Sequence, residues 1–338
     1  MRIGRNPEKD KEIQGDAYHR VIIPVYVPHL EEYFEKGLDF TQLCIDSCNA
    51  TRHSKSFLTV VNNGCCTEVT EYLQKLYEEG KIDQLIHYKN NVGKIDAVIP
   101  LAKSSQEPLV TISDGDVLFT QGWMQAVEEV YEHFPEAGMV SPVPHGTMFA
   151  NHTVNTIYGA FFKGQLQFQS LCNPEDMQRF AKSIGREDSM YANELRLKYQ
   201  MTVKRKDLSA VVGCGHFVST LRREVFQKSP DTFSNMAYSS KADKDYIDVP
   251  NDASGFWRLA TIGNYAYHMG NQPEPWMYEL AASQAEGNDD KTIEVPAPKR
   301  GTMSFGFKSF VVKRLLMNRW MRPTFYKWLK LPEGHKNY

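Results

Sequence analysis

The chain has 338 residues, with 39 Lys and Arg against 41 Asp and Glu, a formal net charge of -2 and 41% hydrophobic residues. This is globular composition, far from the signatures of disorder, collagen or a disulfide scaffold. No stretch approaches the roughly 20 apolar residues that span a bilayer, and the start MRIGRNPEKDKEIQGDA has no apolar core of a signal peptide, so spanning and secretion are not expected.

A polar leader (1–19) precedes RVIIPVYV (Arg20 to Val27), a β-branched run that reads as a buried strand. A helical stretch follows with Phe40, Leu43, Cys44 and Ser47 at three-and-four spacing. SFLTVVNNG (Ser56 to Gly64) is a second buried strand closed by a turn. Thr67 is placed to cap the helix TEVTEYLQKLYEEG, which Gly80 stops. DQLIHYKN gives a third strand, KIDAVIPLAKSS a helix bent by Pro100, and PLVTISDGDVLF a fourth strand with acids where it ends. Thr120 is then placed to cap GWMQAVEEVYEHF. Strands alternating with helices of this length predict βαβ units and a mainly parallel, doubly wound α/β sheet, in which ligands bind beyond the carboxyl ends of the strands.

From about 145 to 208 the pattern is irregular and reads as an insertion over one end of the sheet. SAVVGCGHFVST (Ser209 to Thr220) resumes as a strand, and DVPNDASGFWRLATIGNYAYHMGN predicts a helix leading into a last strand. The six cysteines (Cys44, Cys48, Cys65, Cys66, Cys172, Cys214) form no CxxC pair and read as buried free thiols.

The most informative turn is Asp114-Gly115-Asp116. Two carboxylates one residue apart suit a hard cation, Mg²⁺ or Mn²⁺, shared with a diphosphate, and Gly lets the backbone approach closely. Such triplets also mark solvated turns, but this one follows a buried strand where a doubly wound sheet binds its ligand.

The succession IIPVYV, VVNNG, NNVGKIDAVIPLA and VTISDGDVLFTQGW resembles a family 2 glycosyltransferase of the GT-A fold, of the type used in bacterial polysaccharide biosynthesis. The resemblance covers the first half of the chain and implies nucleotide contacts at Pro24, Tyr26 and Asn62, and at Lys94 or Asp96. Asp114 and Asp116 become the ribose and metal acids, with Mn²⁺ or Mg²⁺ and a UDP- or GDP-sugar donor, UDP the first of the two. The family usually has an acid where Asn62 stands, and Asn62-Asn63-Gly64 also reads as a plain tight turn. In the second half, which is a looser match, NDASGFWRL resembles the motif that supplies the catalytic base. This implies Asp252 as base with Arg258 downstream, against the reading of Asp252 as a helix N-cap and with Asp245 and Asp248 as rivals. His268 matches the place of a third metal ligand, and His216 is set to line the acceptor site. The implied activity is inverting transfer of a sugar to a hydroxyl of a glycan or lipid-linked acceptor. Alternatives are a sugar-nucleotide-forming nucleotidyltransferase, which should show a Gly-rich loop where this chain has YVPHLEEYF, and a non-catalytic nucleotide or glycan binder. The resemblance divides the chain into a catalytic body at 20–275 (nucleotide half 20–144, acceptor half 145–275) and an extension at 276–338.

The near-zero net charge hides an asymmetry. From Lys299 to Tyr338 there are ten Lys or Arg against Glu333 alone, a segment charge of +9 that leaves -11 for the rest. Cations interleaved with Phe, Trp and Leu read as an interfacial helix on anionic lipid, or as a terminal helix packed on the body. A nucleic-acid partner is not expected, because no recognised RNA- or DNA-binding module is present. The expected location is cytoplasmic, peripheral on the inner face of the membrane.

Overall fold

A computed structural model of the chain describes residues 4–12, 15–284, 292–336 and 338, so parts of the predicted leader and of the 276–338 extension lie outside the described residues. β1 (His19–Val25), α1 (Gly37–Thr51), β2 (Ser56–Asn63), α2 (Thr67–Glu78), β3 (Gln84–Tyr88), α3 (Lys94–Ser104) and β4 (Leu109–Ser113) alternate in the predicted order. β1 reads as an unbroken apolar run because both of its faces are covered. Val21, Ile23 and Val25 point into a core with α1 and α2, while Ile22 points to the other side with residues of α3. All four are at most 1% exposed, a burial of about 1.5–3 kcal/mol for each such side chain.

The acidic turn divides the predicted fourth strand: after Asp114-Gly115-Asp116 the chain leaves the main sheet as β5 (Val117–Phe119). Then come α4 (Trp123–His133) and β6 (Ala137–Ser141), followed by α5 (Val154–Phe162), β7 (Leu166–Gln169), α6 (Pro174–Ser183), β8 (Gln200–Arg205) and β9 (Leu208–Val212). β10 (Val218–Arg222), β11 (Trp257–Ala260) and β12 (Ala266–His268) complete the strands. Ten strands form one sheet in the order β3-β2-β1-β4-β10-β6-β11-β9-β8-β7, and seven of them run one way, β7, β9 and β10 being reversed. The fold is therefore α/β, a mixed and mostly parallel sheet with helices on both faces.

Three local expectations are corrected. Thr67 and Thr120 are not caps: α2 is preceded by Cys66 and α4 by Gly122, whose φ of 82° suits a residue without a side chain. The run Ser209 to Thr220 is two strands, not one. Gly213 breaks it at φ +111°, where a Cβ would collide with the backbone of Met148, and β9 and β10 end up separated by β6 and β11. Finally, the 145–208 segment does more than cover the sheet, since its β7 and β8 extend the sheet edge antiparallel beyond β9.

The basic extension packs on the body. Val311, Val312, Leu316, Phe325, Tyr326 and Leu329 are buried in the same core as β7, β8 and α5. The Phe168 N–H donates to the Leu329 carbonyl at 2.7 Å, and Tyr338 Oη donates to the Tyr199 carbonyl at 2.7 Å.

Candidate active site

The parallel strands β1, β2 and β4 end at one edge, and their turns line a cleft of about 570 Å³. The β4–β5 turn can sit there because position 115 is glycine: a Cβ would stand 3.2 Å from the Pro24 carbonyl of β1. β12 pairs antiparallel with β5 with His268 opposite Val117, which brings the histidine back beside the acids from 152 residues further along the chain. Metal-competent atoms of Asp114, Asp116 and His268 all lie within 4.8 Å of one another, and His268 Nε2 is 3.4 Å from Asp116 Oδ2.

The histidine is held on its other side. His268 Nδ1 is 3.2 Å from Ser183 Oγ, and the Phe180 and Phe217 rings stand edge-on at 6.3 and 5.5 Å. In the tautomer that donates Nδ1–H to Ser183, Nε2 keeps its lone pair facing Asp116. Among the described residues no lysine or arginine pairs with Asp116, and burial pushes its carboxyl above the ordinary carboxylate value, with His268 opposing. An acid so placed fits a bound divalent cation.

Asp114 is held differently. Its Oδ1 pairs with Lys94 Nζ at 2.5 Å, and the same ammonium lies 3.9 Å from Asp243 Oδ1 and donates to the His216 carbonyl at 3.4 Å. Burial opposes the charge on Lys94, yet Asp114 and Asp243 prevail and hold its pKa above the usual lysine value. Asp243 was not singled out in the sequence. Its carboxyl is pushed up by burial against the pull of Lys94, and its Oδ1 has no hydrogen-bond partner.

The remaining expected residues divide. Pro24 and Tyr26 line the cleft, and Tyr26, 41% exposed, stands edge-on to Phe34 at 5.9 Å. Asn62 does not line it. Its Oδ1 accepts from the Cys65 N–H at 2.9 Å and its Nδ2 donates to Thr70 Oγ1 at 2.8 Å, so it holds the turn, while neighbouring Asn63 reaches the cleft. Asp96 is also turned away: it accepts from the Ser234 N–H at 2.7 Å, from Ser234 Oγ at 3.0 Å and from the Asn235 N–H at 2.9 Å. It thereby anchors the loop that brings Ala237 and Tyr238 to the cleft.

Asp252 lies inside the helical stretch Val249–Ala253 and is therefore no N-cap; it is outside the cleft lining and 2.9 Å from His152 Nδ1. Among its rivals, Asp245 pairs outward with Lys241 at 3.0 Å. Asp248 is buried between His216 Nε2 at 2.7 Å and Arg258 Nη1 at 3.0 Å; burial alone would raise its pKa, but the hydrogen bond to His216 and the charge of Arg258 hold it below the usual carboxylate value. Charge alternation along 243–252 offers four acids without saying which points inward. Asp243 is the one of the four beside Lys94, and Asp252 shares with it a buried oxygen that has no hydrogen-bond partner.

The loop over Lys94 depends on one glycine. Gly93 has φ 92° and ψ 152°, a region that side chains avoid, and a Cβ there would collide with the Met236 carbonyl oxygen. Gly93→Ala is expected to destabilise the fold by at least about 2 kcal/mol, read as a lowered Tm. A Tm equal to that of the parent would show that the loop does not rest on this contact.

Two other features compete with the cleft. A hollow of about 940 Å³ lies between α1 and the helix Pro275–Ser283, but none of its lining residues belongs to a metal-competent cluster except His53. That second cluster, His19, His53 and Glu128, is fully buried. His53 Nδ1 accepts the Lys55 N–H at 3.2 Å and His19 Nε2 is 2.7 Å from Thr111 Oγ1, which leaves the other ring nitrogens to donate to Glu128 Oε1 at 2.9 and 2.8 Å. With each ring N–H committed to Glu128, the cluster is a closed hydrogen-bond network.

No protein-family model matches the chain, and no curated protein matches it either. Among solved structures it is similar to the mannosyltransferase PcManGT from Pyrobaculum calidifontis in complex with GDP-Man and Mn²⁺, at 13% identity over 93% of this chain and 73% of that chain, with a TM-score of 0.45. It is similar to S. aureus TarS at 12% identity over 88% of this chain and 70% of that chain, TM-score 0.46. For TarS in complex with UDP the match spans 37% of this chain and only 35% of that chain, at 15% identity and a TM-score of 0.30. What those proteins bind is theirs, and the chemistry of this cleft rests on its own residues.

Proposed function

We propose that this chain transfers a sugar from a nucleoside-diphosphate donor to a hydroxyl acceptor. The observation that carries the reading is the convergence of Asp114, Asp116 and His268 beside Lys94 at the carboxyl ends of parallel strands, under an aromatic wall of Tyr26 and Tyr33. The aromatic wall suits a nucleobase or ribose, and the acids and lysine suit a diphosphate. Asp114, Asp116 and His268 would hold Mn²⁺ or Mg²⁺, which when bound neutralises charge growing on the departing diphosphate.

The chain's own residues supply the rest. Lys94 fixes the orientation of Asp114 and adds a positive charge where the leaving group gathers negative charge. Inversion needs one base on the face opposite the leaving group, to take the acceptor proton as its oxygen attacks the anomeric carbon. We assign that role to Asp252 ahead of Asp243: each keeps a buried carboxylate oxygen without a hydrogen-bond partner, but Asp243 stands 3.9 Å from Lys94, on the side of the leaving group. UDP-sugars come before GDP-sugars as donor, and a glycan or lipid-linked oligosaccharide is the proposed acceptor.

Thermal melting with UDP-, GDP-, CMP- and dTDP-sugars, with and without Mn²⁺, tests this. One of them should stabilise the protein by about 2.7 kcal/mol at a hundredfold excess over Kd, and only with metal. It should also release its nucleotide when an acceptor is supplied. No stabilisation by any of the four overturns the reading, and binding without nucleotide release reduces it to a non-catalytic binder.

A further inference from the structure

The packed extension buries one set of apolar residues and leaves another exposed. In the segment 305–316 the buried stripe is Lys308, Val311, Val312 and Leu316, and in 322–329 it is Phe325, Tyr326 and Leu329. Apart from Lys308, both stripes enter one core, so their opposite sides look away from the same body. Outside these stripes Phe307 is 46% exposed, Phe310 55%, Leu315 46%, Trp328 57%, and Trp320 in the connecting turn 88%. The patch continues onto the body: Phe162 at the end of α5 is 61% exposed and touches Tyr158 at 4.8 Å, and Tyr158 in turn lies 6.2 Å from Phe307.

Cations are interleaved with these rings. Lys313, Arg314, Arg319, Lys327 and Lys330 form no ion pair among the described residues, and no acid occurs between Lys299 and Pro332. No helix among the described residues is long and apolar enough to cross a membrane. Unpaired cations call for a dense anionic partner, and exposed Trp and Phe side chains among them call for one that also accepts rings below its charged layer. An anionic phospholipid surface meets both demands.

We propose that this composite face, formed by the extension together with α5, docks the protein on an anionic bilayer as a rigid surface. It is not a detachable arm: removing the extension would uncover the core it completes, so deletion cannot isolate the effect. The inference needs no nucleotide sugar and stands apart from the proposed reaction.

Co-sedimentation of the full chain with vesicles of phosphatidylcholine, with and without phosphatidylglycerol, tests it. The protein is expected to sediment with the anionic vesicles alone and to be released as salt rises. Both a Phe310→Ser, Trp320→Ser variant and a Lys313→Gln, Arg314→Gln, Arg319→Gln variant should bind at least about tenfold more weakly. These side chains are exposed, so unchanged melting curves would exclude misfolding as the cause. Equal binding to neutral vesicles, no binding at low salt, loss with the charge variant but not the ring variant, or retention on single-stranded RNA that anionic vesicles fail to compete away would each overturn the proposal.

Discussion

Asp116→Ala is expected to lower metal-dependent nucleotide release by about 10³-fold, equivalent to about 4 kcal/mol of transition-state stabilisation. Asp116 is the acid in the cluster with no lysine or arginine partner, so it is the one most in need of a cation and the one whose loss most weakens a metal site. Asp114 already has Lys94, and its removal would disturb the lysine as well as the metal. A useful contrast is Asp252→Asn, which should lower kcat by about 10²–10⁴-fold while leaving donor and metal stabilisation intact, because a base acts on the acceptor. Asp243→Asn should instead weaken donor and metal stabilisation, through its neighbour Lys94. If Asp116→Ala keeps full metal-dependent turnover, the metal assignment fails; if Asp243→Asn lowers kcat with donor binding intact and Asp252→Asn is silent, the base is Asp243.

The second large effect concerns stability. Glu128 on α4 accepts from His19 and His53 through Oε1, and from Tyr18 Oη through Oε2 at 2.7 Å. Burial by itself would raise its pKa, but the hydrogen bonds from the two imidazoles win and lower it from 4.5 to about 2. A carboxylate more acidic in the folded state contributes stability above its unfolded pKa and loses it as pH falls through the folded one. At about 1.4 kcal/mol per pH unit, the fall from 4.5 to about 2 amounts to roughly 3 kcal/mol, lost between those two values. His19 acts in the same direction. Burial lowers its pKa below 6.5, so the unfolded chain takes up a proton that the folded protein resists, and stability declines as pH drops below 6.5. Glu128→Gln should therefore be about 3 kcal/mol less stable at neutral pH, with the difference shrinking below about pH 4.5. Denaturant melts across that range measure it, and a gap that stays constant down to about pH 3 would refute the account.

The sequence by itself determined the strand–helix alternation, because strands buried on both faces must be written as unbroken β-branched runs such as RVIIPV, and the crossover helices carry their own three-and-four spacing. It also singled out Asp114 and Asp116, since two acids on a glycine turn after a buried strand have no ordinary core role. Tertiary structure decided the rest. His268 joins those acids through the β5–β12 pairing, a contact across 152 residues that no local spacing encodes. Asn62 and Asp96 carry the right chemistry at the right place in the chain, yet their hydrogen bonds turn them to the β2 turn and the 234–235 loop, while Asn63 lines the cleft and Asp243 adjoins Lys94. The +9 segment was legible as charge, but only packing separated the apolar residues that complete the core from those left facing outward, because amphipathic stripes around a helix do not announce which stripe has a partner.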